Sequence, residues 1–146
     1  MENKKDIKAD FQFIDSYINK TSIDIKNKAI SDGKFELGIS VAINKIKVEK
    51  DGLKIVDAKL YTDVNIRDKE NDKVYVSIST EIIGRFTTSN LTDDEFNEFV
   101  KYSGIPALSQ QVRAYITSIS SLSGIEPVII PMINFENYFS NAELDN

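Results

Sequence analysis

The sequence predicts an α+β domain in which long antiparallel strands come first and helices follow. Two observations carry this. Apolar residues alternate with polar ones through three successive runs between Phe35 and Thr88, and from Leu91 to Gly124 they recur every three or four residues instead. A third feature, the apolar stretch from Gly124 to Phe139 with prolines at 127 and 131, fits neither pattern.

In the first run Phe35, Leu37, Ile39, Val41 and Ile43 share a face, and the phase changes near Asn44-Lys45 before Ile46 and Val48, as in a long strand with a bulge or bend. Lys50-Asp51-Gly52 is a turn signal, after which Ile55 and the row Ala58, Leu60, Thr62, Val64 and Ile66 describe a second strand. Arg67 to Lys73 is a charged loop. The third strand, Val74 to about Thr88, puts Val74, Val76, Ile78, Thr80, Ile82, Gly84 and Phe86 on one face and Tyr75, Ser77, Ser79, Glu81 and Arg85 on the other. Three strands joined by short polar turns make an antiparallel meander with one apolar and one polar face.

Thr92 and Glu95 have the spacing of a capping box, and Leu91 and Phe96 that of a hydrophobic staple, so a helix starts there and Gly104 and Pro106 are expected to end it. Leu108, Val112, Tyr115, Ile116, Ile119 and Leu122 form the apolar stripe of the main helix, closed by Gly124. Its other side carries Thr117, Ser118, Ser120, Ser121 and Ser123, which either face water or let another helix approach closely. Beyond Gly124 the prolines forbid helix, so Ile125 to Met132 must lie extended, either buried or offered to a partner. The N-terminal pattern is ambiguous. Ile7, Phe11, Ile14 and Ile18 fit a helix, while Phe11, Phe13, Tyr17, Ile23 and Ile25 fit a strand with a bulge.

At 146 residues and 41% hydrophobic content, one domain over residues 1–146 is expected, with flexible tails at 1–10 and 140–146. No apolar run approaches the roughly 18 residues of a spanning helix, so no membrane insertion and a cytoplasmic location are expected. The absence of cysteine and histidine removes disulfides, thiolate chemistry, the usual general base and the commonest zinc ligand. A net charge of −5 with interspersed lysines argues against a nucleic-acid partner. Asp93, Asp94 and Glu95 suit a helix N-terminus, and Asp68, Glu70 and Asp72 lack the glycine and closing glutamate of a calcium loop. No phosphate loop, nucleophile elbow or dinucleotide fingerprint is present, so the expectation is a non-enzyme with no cofactor or metal. Strands of roughly 14 residues extend about 45 Å and a 17-residue helix only about 25 Å, which leaves apolar sheet for a second copy or an extended apolar peptide to cover.

Phe11-Gln12-Phe13, Tyr17 and Ser22-Ile23-Asp24, then Gly84-x-Phe86, Pro106, Arg113 and the closing Ile133-Asn134-Phe135-Glu136-x-x-Phe139 together resemble the bacterial protein-export chaperone family SecB, over residues 11–139. The resemblance implies that residues 11–25 are a strand. It further implies a four-stranded antiparallel sheet with two to three helices on one face, dimers joining into tetramers, and a holdase that binds unfolded or secretory polypeptides in apolar grooves without ATP. On that basis the client-facing candidates are Phe35, Leu37, Phe86, Ile125, Val128, Ile130, Met132 and Phe135. A surface facing the translocase motor SecA would contain Asp24, Ser77 and Ser79, although the family presents Leu and Glu where Ser77 and Ser79 stand, and Lys20 replaces an acidic companion. Other departures are Asn19-Lys20, Lys26, Ser109-Gln110-Gln111 and the earlier placement of Pro131. Divergent relatives in toxin–antitoxin systems recognise an antitoxin, which makes a dedicated partner the alternative.

Overall fold

The computed structural model describes residues 10–28 and 33–144. Its elements run β1 (Phe11–Ile25), β2 (Gly33–Ile43), β3 (Lys47–Val48), β4 (Lys54–Asp68), β5 (Val74–Thr88), α1 (Asp93–Phe99), a π-helical turn (Val100–Gly104), α2 (Ile105–Leu122) and α3 (Phe135–Leu144). Residues 1–9 and 145–146 of the expected tails lie outside the described residues, and residues 140–144 continue α3.

The sheet is antiparallel in the order β1-β5-β4-β2, with the short β3 also on β4. β2, β4 and β5 form the meander, and β1 pairs with its last strand, a Greek-key arrangement that leaves β1 and β2 as the two edges. The ambiguous N-terminal segment is therefore a strand. Register shifts at Ile14 and Asn19 explain why its apolar residues obeyed neither period throughout. The expected bend in the Phe35 to Val48 run is Asn44–Ile46, where the Asn44 N–H reaches the Asp57 carbonyl at 3.0 Å before β3 resumes pairing.

Alternation decides what the two central strands bury. Val56, Ala58, Leu60, Val64 and Ile66 of β4 and Val76, Ile78, Ile82 and Phe86 of β5 form the core with Ile105, Leu108, Val112 and Ile116 of α2. The capping box is formed: the Glu95 N–H donates to Thr92 Oγ1 and the Thr92 N–H to Glu95 Oε1, both at 3.2 Å. Asp93 lies 2.7 Å from Lys54 Nζ, so part of the acidic triplet pairs with the sheet. Asp68 Oδ1 accepts from the backbone of Glu70 and Asn71, and the other carboxylate oxygen accepts from the Tyr75 hydroxyl, so the acidic loop is closed by its own first residue.

Gly104 and Pro106 do not end the helix. Gly104 has φ −69° and ψ −53°, ordinary helical values, and Pro106 follows the π-helical turn, in which the Ile105 N–H bonds to the Val100 carbonyl. Gly104 is there because the Phe86 ring passes over it: a Cβ would come within 2.8 Å of two ring carbons. Gly104→Val should therefore destabilise the fold by roughly 1–3 kcal/mol, read as a lowered urea midpoint at unchanged slope.

Gly124 does end α2, with φ +88°. The Ile125 N–H bonds to the Ser120 carbonyl and the Gly124 N–H to the Ser121 carbonyl, the paired bonds of a Schellman cap. The chain that leaves it turns back along the helix. At its far end Asn134 Oδ1 accepts from the Asn137 N–H at 3.1 Å and caps α3.

Candidate functional site

Helix coverage stops short of the sheet's edges. The inward row of β2, Phe35, Leu37, Ile39, Val41 and Ile43, stands opposite Ile66, Val64, Thr62, Leu60 and Ala58 of β4. The β4 members are buried, whereas those on β2 are only half covered and Phe35 is 38% exposed. β2 also has no strand beyond it among the described residues, so alternate backbone groups along its outer side face outward.

Across from β2 runs the extended strap Gly124 to Pro131. Ile125, Val128 and Ile130 point beneath it into the core, while Ile129, on the opposite side, is 72% exposed and Met132 beyond it 75%. A cavity of about 190 Å³ opens between strap and sheet, lined by Gly33, Phe35 and Ile66 on one side and Glu126, Pro127, Val128 and Ile129 on the other. This groove is the candidate site. Its lining side chains are mostly apolar, with Glu126 and exposed backbone adding polar surface.

Among the described residues the strap has no strand partner, and α2 takes that role with side chains. The Val128 N–H donates to Ser120 Oγ at 2.8 Å, Thr117 Oγ1 donates to the Val128 carbonyl at 2.9 Å, and Arg113 Nε donates to the Ile130 carbonyl at 2.9 Å. Ser120 Oγ in turn donates to the Ile116 carbonyl at 2.8 Å, so this fully buried hydroxyl both accepts and donates a hydrogen bond. Part of the hydroxyl-rich side of the helix, read from sequence as solvated or helix-facing, is a polar ladder for the strap.

Of the candidates, the groove brings Phe35 and Val128 together, with Leu37 next along β2 and Met132 past the strap's end. Ile125, Ile130 and Phe135 lie buried under the strap and in α3. Phe86 is elsewhere, inside an aromatic cluster at 5.4 Å from Phe11 and 5.1 Å from Phe13. Ile129, Glu126, Pro127, Ile66 and Gly33 were not anticipated. Ile129 was accessible by alternation, since burying Val128 and Ile130 in an extended segment turns the residue between them outward.

Asp24, Ser77 and Ser79 do share a surface, the outer face of the sheet, where Asp24 pairs with Ser77. The face is a polar ladder. Ser77 Oγ donates to Asn65 at 2.8 Å, Ser79 Oγ donates to Asp63 at 2.9 Å, and Arg85 makes two bonds to Asp57. The Arg85 hydrogen bond lowers the Asp57 pKa and raises that of Arg85, and the Asn19 hydrogen bond, with Lys59 behind it, lowers that of Glu81. All three shifts lead away from neutrality, so these charges persist at neutral pH.

The fold overlays on the Mycobacterium tuberculosis Rv1957 SecB-like chaperone, solved in complex with a ChAD peptide from the Rv1956 HigA1 antitoxin, with a TM-score of 0.67 over 85% of this chain and 91% of that one, at 14% identity. The fold is SecB-like. A protein of unknown function from Streptococcus agalactiae aligns over 83% of this chain and 96% of its own with a TM-score of 0.45 and 15% identity. In sequence, uncharacterized protein MJ0357 of Methanocaldococcus jannaschii is 32% identical over 75 residues, 51% of this chain and 48% of that protein, so the SecB-like chain spans about half the length of this relative. No protein-family model matches. Among the described residues, no helix of the SecB-like domain is long and apolar enough to cross a membrane.

Proposed function

We propose that this SecB-like protein is an ATP-independent chaperone that holds extended, apolar segments of non-native polypeptides in the groove between β2 and the strap. The observation that carries this is the groove itself, which has apolar side chains on both walls and is bordered by β2, an edge strand among the described residues. A client lying along β2 gains backbone hydrogen bonds whatever its sequence, and its alternate side chains meet Phe35, Leu37 and Ile129. Burial there contributes about 25 cal/mol per Å² of apolar area.

The test is light scattering from a chemically denatured client diluted into buffer. Stoichiometric protein should suppress aggregation with no nucleotide present. Failure to slow aggregation of several unrelated clients, together with no binding to their peptides, would sink the proposal. A second reading, a chaperone dedicated to one partner such as an antitoxin, is favoured by the peptide bound to Rv1957. Tight binding of one segment and indifference to unrelated unfolded chains would establish it. Export is a further arm of the proposal, read by a pull-down with SecA and by its sensitivity to changes at Asp24, Ser77 and Ser79. Assembly into dimers or tetramers, which would cover the half-bare edge strands, is read from solution mass.

A further inference from the structure

We infer that Arg113, Thr117 and Ser120 are positioning residues for the groove: they hold the strap as a fixed wall, and client affinity depends on that latch. The inference rests on the proposed holding of clients between β2 and the strap. Three features support it. The strap is attached at one end by Gly124 in the left-handed region and interrupted at the other by Pro131, so its conformation is set between two fixed points. Among the described residues its backbone makes no ladder with the sheet, and its polar groups Val128 N–H, Val128 C=O and Ile130 C=O go to side chains of α2 instead. Those side chains stand three or four residues apart, hence on one face of the helix, and meet the strap in reverse order, Ser120 and Thr117 at Val128 and Arg113 at Ile130.

Thr117 has one proton and two acceptors, the Arg113 carbonyl at 3.0 Å and the Val128 carbonyl at 2.9 Å. Losing the hydroxyl therefore frees the strap while α2 retains its own backbone ladder. Glu126, Pro127, Val128 and Ile129 form one whole wall of the cavity. A wall that must be ordered by each incoming client weakens binding, because the ordering entropy is charged to the complex.

The test compares Thr117→Val and Ser120→Ala with wild type by amide exchange and by fluorescence anisotropy of a labelled, permanently unfolded apolar peptide. Both variants should exchange the Val128 amide, which bonds to Ser120, about tenfold faster, while β4 and β5 amides are unchanged, and should bind the peptide about fivefold more weakly. Thr117→Ser, which keeps the donor, should rescue most of the affinity lost in Thr117→Val. Unchanged exchange in the strap, or a freed strap with unchanged or tighter binding, overturns the positioning role. Wild-type protein that binds no peptide overturns the holding reading on which it rests, which is a separate outcome.

Discussion

Phe86→Ala should cost about 3–5 kcal/mol of folding free energy, at the top of the range for core truncations. The ring is fully buried, stacks on Phe11, meets Phe13 edge-on and covers Gly104, so the space it leaves is walled by the sheet below and helix backbone above. Neither side can collapse easily into the gap, which places the cost in the upper part of the range for large-to-small changes. Aromatic pairs add about 0.5–1.5 kcal/mol beyond area burial. Since domains of this size are stable by only about 5–15 kcal/mol, urea denaturation should register a loss of about a fifth or more of the total. Adding Gly104→Ala to the truncated protein should recover part of it, because the new methyl enters the vacated space and alanine favours helix by about 1 kcal/mol over glycine. The same variant separates two roles for Phe86. Weaker client binding at unchanged stability would assign the ring to client contact, and lost stability assigns it to the core.

The strands were legible where burial is one-sided. Residues 54–88 alternate because one face of β4 and β5 meets helices and the other water, and the register of both follows from that. β1 was not legible from its own pattern, because the shifts at Ile14 and Asn19 reset the face on which its residues fall; only the resemblance settled it. The helix start at Thr92 was written in local chemistry, whereas Gly104 misled because its reason is a ring from another element, Phe86 of β5, which local pattern cannot place against it. Half of the groove was legible for a similar reason. The chain after Gly124 could be read as extended and apolar, and alternation then separates Val128 from Ile129. That Phe35 forms the facing wall depends on the pairing of β2 with β4, which is long-range information. The ladder from α2 to the strap was invisible because serine and threonine on a helix look alike whether they face water, a neighbouring helix or a folded-back chain.

Ile129→Asp with Met132→Asp should weaken client binding by more than about tenfold while leaving the melting temperature nearly unchanged. At 72% and 75% exposure these side chains contribute little to the fold, and surface substitutions of this kind usually stay within about 0.5 kcal/mol. Their apolar area has value only when something covers it, and covering a large apolar side chain is worth about 1.5–3 kcal/mol, so replacing two of them removes at least a factor of ten. The carboxylates would in addition have to be desolvated under a client. Charge sign provides the control. With Lys at both positions, the protein's net charge moves up from −5 instead of down. Equal losses for Asp and Lys, measured by anisotropy with a neutral peptide, mean that apolar burial drives binding. A loss confined to Asp that appears only with an acidic peptide means that charge repulsion does, and binding untouched by either pair means that clients never reach the outer side of the strap.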